Sequence, residues 1–100
     1  RKVAMEQRAE GFIALPGGFG TLEEVAEVLT LSQIEYLRAP IVLLNVGDFY
    51  AQLLAHFERL YQEELARPEF RQLYELATTP GQALAYIESY SPAELPRKWY

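Results

Sequence analysis

The chain has 100 residues, of which 50% are hydrophobic and 23% are charged, with a formal net charge of −5 and a pI of about 4.8. This balance is typical of a folded globular domain, and an acidic chain without a basic stripe argues against binding to a DNA or RNA polymer. With no cysteine, one histidine and no apolar run near the roughly 20 residues that cross a bilayer, the sequence argues against disulfides, metal sites and membrane spans, so we expect a cytoplasmic protein.

Residues 1–9 have the character of the end of a helix, and the chain starts at Arg1 rather than at a methionine. We therefore expect the chain to be a fragment, the C-terminal half of a larger α/β protein. In this interpretation residues 1–90 are the C-terminal part of a single domain. Residues 91–100 contain two prolines and have no periodicity, which predicts an extended C-terminal arm.

A strand, a glycine-rich loop and a helix are predicted next. Residues 11–15 are a short apolar run that ends before Pro16, which indicates a buried strand. From Leu22 the apolar residues recur at helical spacing, which predicts a helix that ends near Arg38. The predicted apolar face of this helix consists of Leu22, Val25, Ala26, Leu29, Gln33 and Tyr36.

Strands and helices then alternate twice more. The predicted elements are strands at 41–45 and 73–77, helices at 50–61 and 80–90, a turn at 46–48 and a short helical turn at 68–72. Continuous apolar strands separated by helices predict a parallel sheet that is covered on both faces. The expected fold class is therefore α/β, a Rossmann-like three-layer α/β/α arrangement.

The loop between the first predicted strand and helix has the clearest chemical meaning. Residues 15–24 read Leu-Pro-Gly-Gly-Phe-Gly-Thr-Leu-Glu-Glu. In open α/β sheets, ligands bind at the carboxyl ends of the strands. Glycines let backbone N–H groups approach an anion, and the helix start adds partial positive charge, so the pattern predicts a phosphate site. Glu23 and Glu24, interpreted as first-turn residues, would repel a phosphate unless they point elsewhere.

Two known phosphate motifs are excluded, and two structural explanations stay open. The loop is not a Walker A loop, because no lysine follows Gly20, and Glu23 stands where the dinucleotide fingerprint requires a third glycine. Thr21 and Glu24 match a capping box, in which two side chains satisfy free amides at a helix start. The glycines would also suit a tight turn between strand and helix.

The order of these residues resembles the LOG (Lonely guy) family. Its signature is an Arg-Lys pair followed by Pro-Gly-Gly-x-Gly-Thr-x-x-Glu, which this chain matches at residues 1–2 and 16–24. The resemblance continues through residues 40–45 and 67–69 and covers most of residues 1–90. Members are cytokinin riboside 5′-monophosphate phosphoribohydrolases, many of them long labelled "possible lysine decarboxylase".

The resemblance implies a Rossmann-like, nucleotide-binding homodimer that needs no cofactor. Its substrate would be a nucleoside 5′-monophosphate of the cytokinin riboside or AMP type, hydrolysed at the N-glycosidic bond to free base and ribose 5-phosphate. Arg1 and Glu24 would be catalytic, and a carboxylate suits a reaction that passes through a cation-like sugar. Binding of the phosphate or nucleotide is assigned by the resemblance to Lys2, Gly17, Gly18, Gly20 and Thr21. Exposed side chains of the predicted helix at 22–37 would suit the dimer interface.

The alternative function is a non-catalytic protein of Rossmann-like fold that binds a nucleotide or a nucleotide cofactor. The presence of both Arg1 and Glu24 favours the hydrolase, because a pure carrier does not need this pair. A lysine decarboxylase would bind pyridoxal phosphate through a lysine. The chain has only Lys2 and Lys98, and neither lies in a suggestive context, so this activity is disfavoured.

Overall fold

The computed structural model describes residues 5–8, 11–34 and 37–90. In these ranges the strands are β1 (Met5–Arg8), β2 (Gly11–Ala14), β3 (Ile41–Leu44) and β4 (Glu75–Ala77), the α-helices are α1 (Phe19–Gln33), α2 (Ala51–Gln62) and α3 (Pro80–Ser89), and short 3₁₀ helices span Val46–Asp48 and Pro68–Leu73. No helix within these ranges is both long enough and apolar enough to cross a membrane.

The four strands form one sheet in the order β1-β2-β3-β4. Strands β2, β3 and β4 are parallel, with Ile13 opposite Val42 and Leu43 opposite Leu76. Because α1 connects β2 to β3 and α2 connects β3 to β4, each parallel pair is joined by a helical crossover. The prediction of a Rossmann-like α/β fold with a parallel sheet is confirmed.

Side chains of β3 alternate between two hydrophobic clusters, because successive strand residues point to opposite faces of a sheet. On one face Ile41 and Leu43 pack with residues of α1 and α2, and on the other Val42 and Leu44 pack with α3. The first cluster contains Ala14, Val25, Val28, Ile41, Leu43, Tyr50 and Tyr74, and the second contains Ile13, Val42, Leu44, Ala77, Ala83 and Ile87. All four residues of β3 are buried, so this strand is the centre of the fold.

The helical interpretation of residues 1–9 is wrong for residues 5–8, which form β1. This strand pairs antiparallel with β2, with Met5 opposite Ala14 and Arg8 opposite Gly11. Met, Glu, Gln and Arg are all good helix formers, which is why the local sequence favoured a helix. A helix of this length gains little on its own, whereas pairing satisfies backbone groups along the edge of β2.

Helix α1 differs from its prediction in both its bounds and its buried face. It begins at Phe19 instead of Leu22, and it ends at Gln33, well before Arg38. Its buried residues are Thr21, Val25, Val28 and Ser32, at spacings of four, three and four that place them on one side of a helix. Of the predicted face, Val25 is buried, Leu22 and Ala26 are exposed, and Tyr36 lies outside the described residues.

The later elements agree with their predictions to within one or two residues. The predicted turn at 46–48 is a single turn with a 3₁₀-type hydrogen bond, in which Gly47 has non-helical backbone angles. The predicted helix at 80–90 is α3, with Pro80 in its first turn. Strand β4 starts at Glu75 and not at Leu73, because Leu73 still belongs to the second 3₁₀ helix. The predicted arm at 91–100 lies outside the described residues.

Candidate functional site

The glycine loop, residues 15–18, lies at the carboxyl edge of the parallel strands. It follows the last residue of β2 and leads directly into α1. The segment 45–50 follows the last residue of β3, and therefore lies at the same edge of the sheet. The structure thus brings two loops together at the position where ligands bind in open α/β folds.

The start of α1 presents backbone donors that the helix itself does not use. Its N-cap is Gly18, whose carbonyl oxygen accepts the first helical hydrogen bond from the Leu22 N–H at 3.2 Å. The N–H groups of Phe19, Gly20 and Thr21 precede that bond and have no acceptor within the helix. Together with the partial positive charge of a helix N-terminus, these donors suit an anion such as phosphate.

The capping-box explanation for Thr21 and Glu24 is wrong, because α1 begins before Thr21. A capping box needs its threonine at the N-cap, and that position belongs to Gly18. Thr21 is the third residue of the helix and is 5% exposed, so its hydroxyl lies inside the protein. A contribution of Thr21 to phosphate binding would therefore come from its backbone N–H.

Gly18 and Gly20 border open space. A Cβ atom added at either residue would meet no atom of the described chain within 4 Å, and neither residue has a left-handed φ. Gly11 differs, because a Cβ there would lie 2.6 Å from Cγ of Pro40. Neither packing nor backbone conformation among the described residues thus requires glycine at positions 18 and 20. The described residues therefore leave room for a ligand beside the start of the helix.

The two glutamates lie in the second turn of α1, and the interpretation of them as first-turn residues is wrong. The first turn of the helix that begins at Phe19 contains no acidic residue. Glu24 is half-buried and follows Gly20 by four residues, which is about one turn and about 6 Å along the axis. Helical side chains lean toward the N-terminus, so this arrangement directs Glu24 toward the loop without placing it at the phosphate position. Glu23 is exposed.

Sequence reasoning missed Tyr50 and Asn45, which connect the two loops. The Tyr50 hydroxyl donates a 2.6 Å hydrogen bond to the carbonyl oxygen of Leu15, immediately before Pro16. Asn45 Oδ1 accepts the backbone N–H of Tyr50 at 2.7 Å. Burial raises the pKa of the Tyr50 phenol, so the group stays a neutral donor at physiological pH. An asparagine directly after a buried strand was the available sequence signal, whereas nothing local pairs Tyr50 with Leu15.

Apolar side chains form part of the rim of this edge. Phe19 is 90% exposed at the start of α1, and Phe49 is 49% exposed in the loop after β3. The Phe49 ring packs edge-to-face on Tyr50, with the ring centroids 5.0 Å apart. The rim therefore offers aromatic surface to the less polar part of a ligand whose anionic group binds the helix start.

Arg1 and Lys2 lie outside the described residues. Their distances to Glu24 and to the glycine loop therefore do not enter the description of the site. The catalytic pairing of Arg1 with Glu24 and the role of Lys2 stay predictions.

Fold and loop define an α/β protein of the Rossmann-like kind, with an open glycine loop at the carboxyl edge of its parallel strands. A family model described as "Possible lysine decarboxylase" matches residues 1–87. The chain belongs to this family, the LOG family.

Curated relatives carry the name of an activity. A "Probable cytokinin riboside 5'-monophosphate phosphoribohydrolase" of Oryza sativa subsp. japonica is 42% identical over 92 residues, covering 92% of this chain and 37% of the relative. A "Cytokinin riboside 5'-monophosphate phosphoribohydrolase" of Arabidopsis thaliana is 39% identical over 92 residues, covering 92% of this chain and 42% of the relative. The chain thus spans about two-fifths of the length of these relatives.

Proposed function

We propose that the protein hydrolyses the N-glycosidic bond of a nucleoside 5′-monophosphate, releasing the free base and ribose 5-phosphate. The observation that carries this proposal is the space beside Gly18 and Gly20 that no described residue fills, next to N–H groups at the α1 start that have no acceptor within the helix. Membership of the LOG family supports the reaction type, and the names of the relatives support a cytokinin riboside 5′-monophosphate as the substrate. AMP is the second substrate that we propose to test.

In the proposed site the 5′-phosphate binds the N–H groups of residues 19–21, with Gly17 and Lys2 also in contact with the nucleotide. Glu24, one helical turn further along, then lies at the level of the ribose. Its carboxylate stabilises the cation-like sugar or activates the attacking water, as carboxylates do in glycoside hydrolysis. The forked guanidinium of Arg1 donates to phosphate or ribose oxygens, or to the departing purine.

The decisive experiment measures base release from AMP and from isopentenyladenosine monophosphate by the intact protein and its Glu24→Gln variant. We expect kcat to fall by about 100-fold or more, the usual effect of losing a catalytic carboxylate. Glu23→Gln is the matched control, because Glu23 is the exposed neighbour on the same helix, and it should leave kcat unchanged. Nucleotide binding without turnover by the wild type would instead support the alternative of a non-catalytic nucleotide-binding protein.

We also propose that the protein acts as a homodimer through the outer side of α1. Phe19, Leu22 and Ile34 are exposed apolar residues at or next to this helix. Their burial against a second copy would remove apolar surface from water. Light scattering should give a dimer mass for the wild type and a monomer mass for Leu22→Glu, whereas Leu65→Glu, an exposed leucine after α2, should stay dimeric.

A further inference from the structure

A chain of hydrogen bonds joins the carboxyl ends of all three parallel strands. The N–H of Asn45, just after β3, donates to the carbonyl oxygen of Ala77, the last residue of β4, at 2.7 Å. The side chain of Asn45 accepts the Tyr50 N–H, and the Tyr50 hydroxyl donates to Leu15, just after β2. The Leu15 end of this chain of bonds is the beginning of the glycine loop.

The backbone between Asn45 and Tyr50 makes a sharp turn that brings Tyr50 back to the carboxyl edge of the sheet. Gly47 and Asp48 both have left-handed conformations, with φ of 58° and 57°. Glycine adopts this conformation without steric cost, and aspartate is among the residues that tolerate it best. Two successive left-handed residues reverse the chain sharply, so that Tyr50 returns to the end of β3 and is buried, with 2% of the residue exposed.

The bond to Leu15 acts on the direction of the glycine loop. A peptide unit is planar, so fixing the Leu15 carbonyl oxygen fixes the plane of the Leu15–Pro16 peptide. Proline then holds its own φ near −65°. Gly17 and Gly18 follow, and they are the residues with the greatest conformational freedom. The Tyr50 hydroxyl thus sets the starting direction of a segment that would otherwise sample many conformations.

We propose that Tyr50 is a positioning residue that preorganises the glycine loop for a phosphate group, with Asn45 holding Tyr50 in place. The inference rests on the proposed function only in assigning phosphate to the loop. Tyr50 touches neither the phosphate nor the reacting bond in this assignment. Its hydroxyl therefore governs the affinity for phosphate compounds and not the rate of the chemical step.

The test compares Tyr50→Phe with Tyr61→Phe in the intact protein. Each substitution removes one partly buried hydroxyl hydrogen bond. Tyr61 shares a 2.7 Å bond with Tyr74, which directly precedes β4 and so lies at the opposite edge of the sheet from the glycine loop. Calorimetric titration with ribose 5-phosphate should show about five- to tenfold weaker binding for Tyr50→Phe and less than about twofold change for Tyr61→Phe. With nucleotide substrate, Tyr50→Phe should raise KM by a similar factor while kcat changes less than about twofold.

A second pair of variants separates positioning from general stability. Asn45→Ala removes the acceptor for the Tyr50 N–H and should also weaken ribose 5-phosphate binding. Asn45→Asp keeps an acceptor oxygen and should restore binding in part, because its added negative charge opposes the phosphate. Equal effects of Tyr50→Phe and Tyr61→Phe, a loss of kcat at unchanged KM, or no ribose 5-phosphate binding by the wild type would each overturn the inference. If the wild type binds ribose 5-phosphate with this dependence on Tyr50 but hydrolyses no nucleotide, the proposed function fails and the positioning role stands.

Discussion

Glycine occurs for different physical reasons at Gly11 and at Gly18. At Gly11 a Cβ atom would lie 2.6 Å from Cγ and 2.8 Å from the carbonyl oxygen of Pro40, closer than Cβ atoms come to non-bonded atoms in folded proteins. Pro40 precedes β3 and accepts a 2.9 Å hydrogen bond from the Phe12 N–H, so this contact lies where β2 and β3 meet. At Gly18 the same atom would enter open space.

We therefore expect Gly11→Ala to affect mainly the stability of the fold and Gly18→Ala to affect mainly ligand binding. Gly11→Ala should lower the free energy of unfolding by about 1–3 kcal/mol, the usual cost of overpacking. Gly18→Ala should lower it by at most about 1 kcal/mol, because alanine is a poorer N-cap than glycine. It should also weaken ribose 5-phosphate binding by about tenfold, because its methyl group fills the proposed phosphate space. Urea unfolding and calorimetric titration measure the two quantities. Tight ribose 5-phosphate binding by Gly18→Ala would place the phosphate elsewhere.

At the scale of helices, the threonine cap that the sequence suggested for α1 occurs instead at α3. Thr79 is the N-cap of α3, and its hydroxyl oxygen accepts the Gln82 N–H at 3.2 Å. The Gln82 side chain in turn accepts the Thr78 N–H at 2.9 Å. This reciprocal arrangement joins the end of β4 to the start of the helix that covers the second hydrophobic cluster.

Removing this cap should weaken the fold measurably. Thr79→Ala leaves the Gln82 N–H without its side-chain acceptor and is expected to lower the free energy of unfolding by about 1 kcal/mol. Thr30→Ala is the matched control, because the Thr30 hydroxyl bonds to the Ala26 carbonyl oxygen inside α1, an arrangement that stabilises a helix little. Chemical unfolding of both variants checks the difference, and equal stabilities would contradict the assigned cap.

Helix α1 contains a buried hydroxyl group without a hydrogen-bond partner among the described residues. This hydroxyl belongs to Ser32, which lies on the buried side of α1. Ser32→Ala should therefore raise the free energy of unfolding by about 0.5–1.5 kcal/mol, since alanine removes the unsatisfied group and is the better helix former. Ser89→Ala, at an exposed serine that ends α3, should have little effect. A loss of stability in Ser32→Ala would show that its hydroxyl has a partner.

Periodicity predicted the alternation of elements, but it did not predict where α1 begins. Hydrophobic spacing starts at Leu22, and Gly18 and Gly20 are poor helix formers, so local preference placed the start too late. In the structure only four residues separate the end of β2 at Ala14 from the start of α1 at Phe19. The short loop therefore includes Gly18, and Gly20 belongs to the helix. The wrong assignment of Glu23 and Glu24 to the first turn follows from this late start. The bond from Tyr50 to Leu15 spans 35 positions and depends on tertiary structure, which no local pattern encodes.

At the scale of the whole molecule, the sheet separates two clusters that share its central strand. Strand β3 contributes Ile41 and Leu43 to one cluster and Val42 and Leu44 to the other. A substitution that disturbs the packing on either face therefore acts on the same strand. The alternating strand and helix pattern predicted this layering correctly. The helix residues that belong to each cluster depend on how each helix is rotated about its own axis. For α1 the periodicity predicted a helix correctly, but it did not predict which side of that helix is buried. The homodimer and the cytoplasmic location stay predictions.

Partly buried tyrosines on both faces of the sheet make the stability of the fold sensitive to alkaline pH. Burial raises the pKa of Tyr50, Tyr61, Tyr74, Tyr86 and Tyr90 above the usual value. The hydrogen bond with Tyr61 raises the pKa of Tyr74 further. Since the folded state favours the protonated phenols, their contribution to stability is complete below the unfolded pKa of about 10 and is lost as pH rises above it.

We therefore expect the urea midpoint to be constant with respect to tyrosine ionisation up to about pH 9 and to fall progressively above about pH 10. In a pH titration, phenolate absorbance should appear at a higher pH in the folded protein than in the urea-unfolded chain. Tyr74→Phe removes a buried phenol and should flatten the decline, whereas His56→Gln, an exposed substitution that removes no phenol, should leave its slope unchanged. Phenolate absorbance that rises at the same pH in the folded and unfolded chains would show that these rings are open to water, and the packing of the first cluster around Tyr50 and Tyr74 would then be wrong.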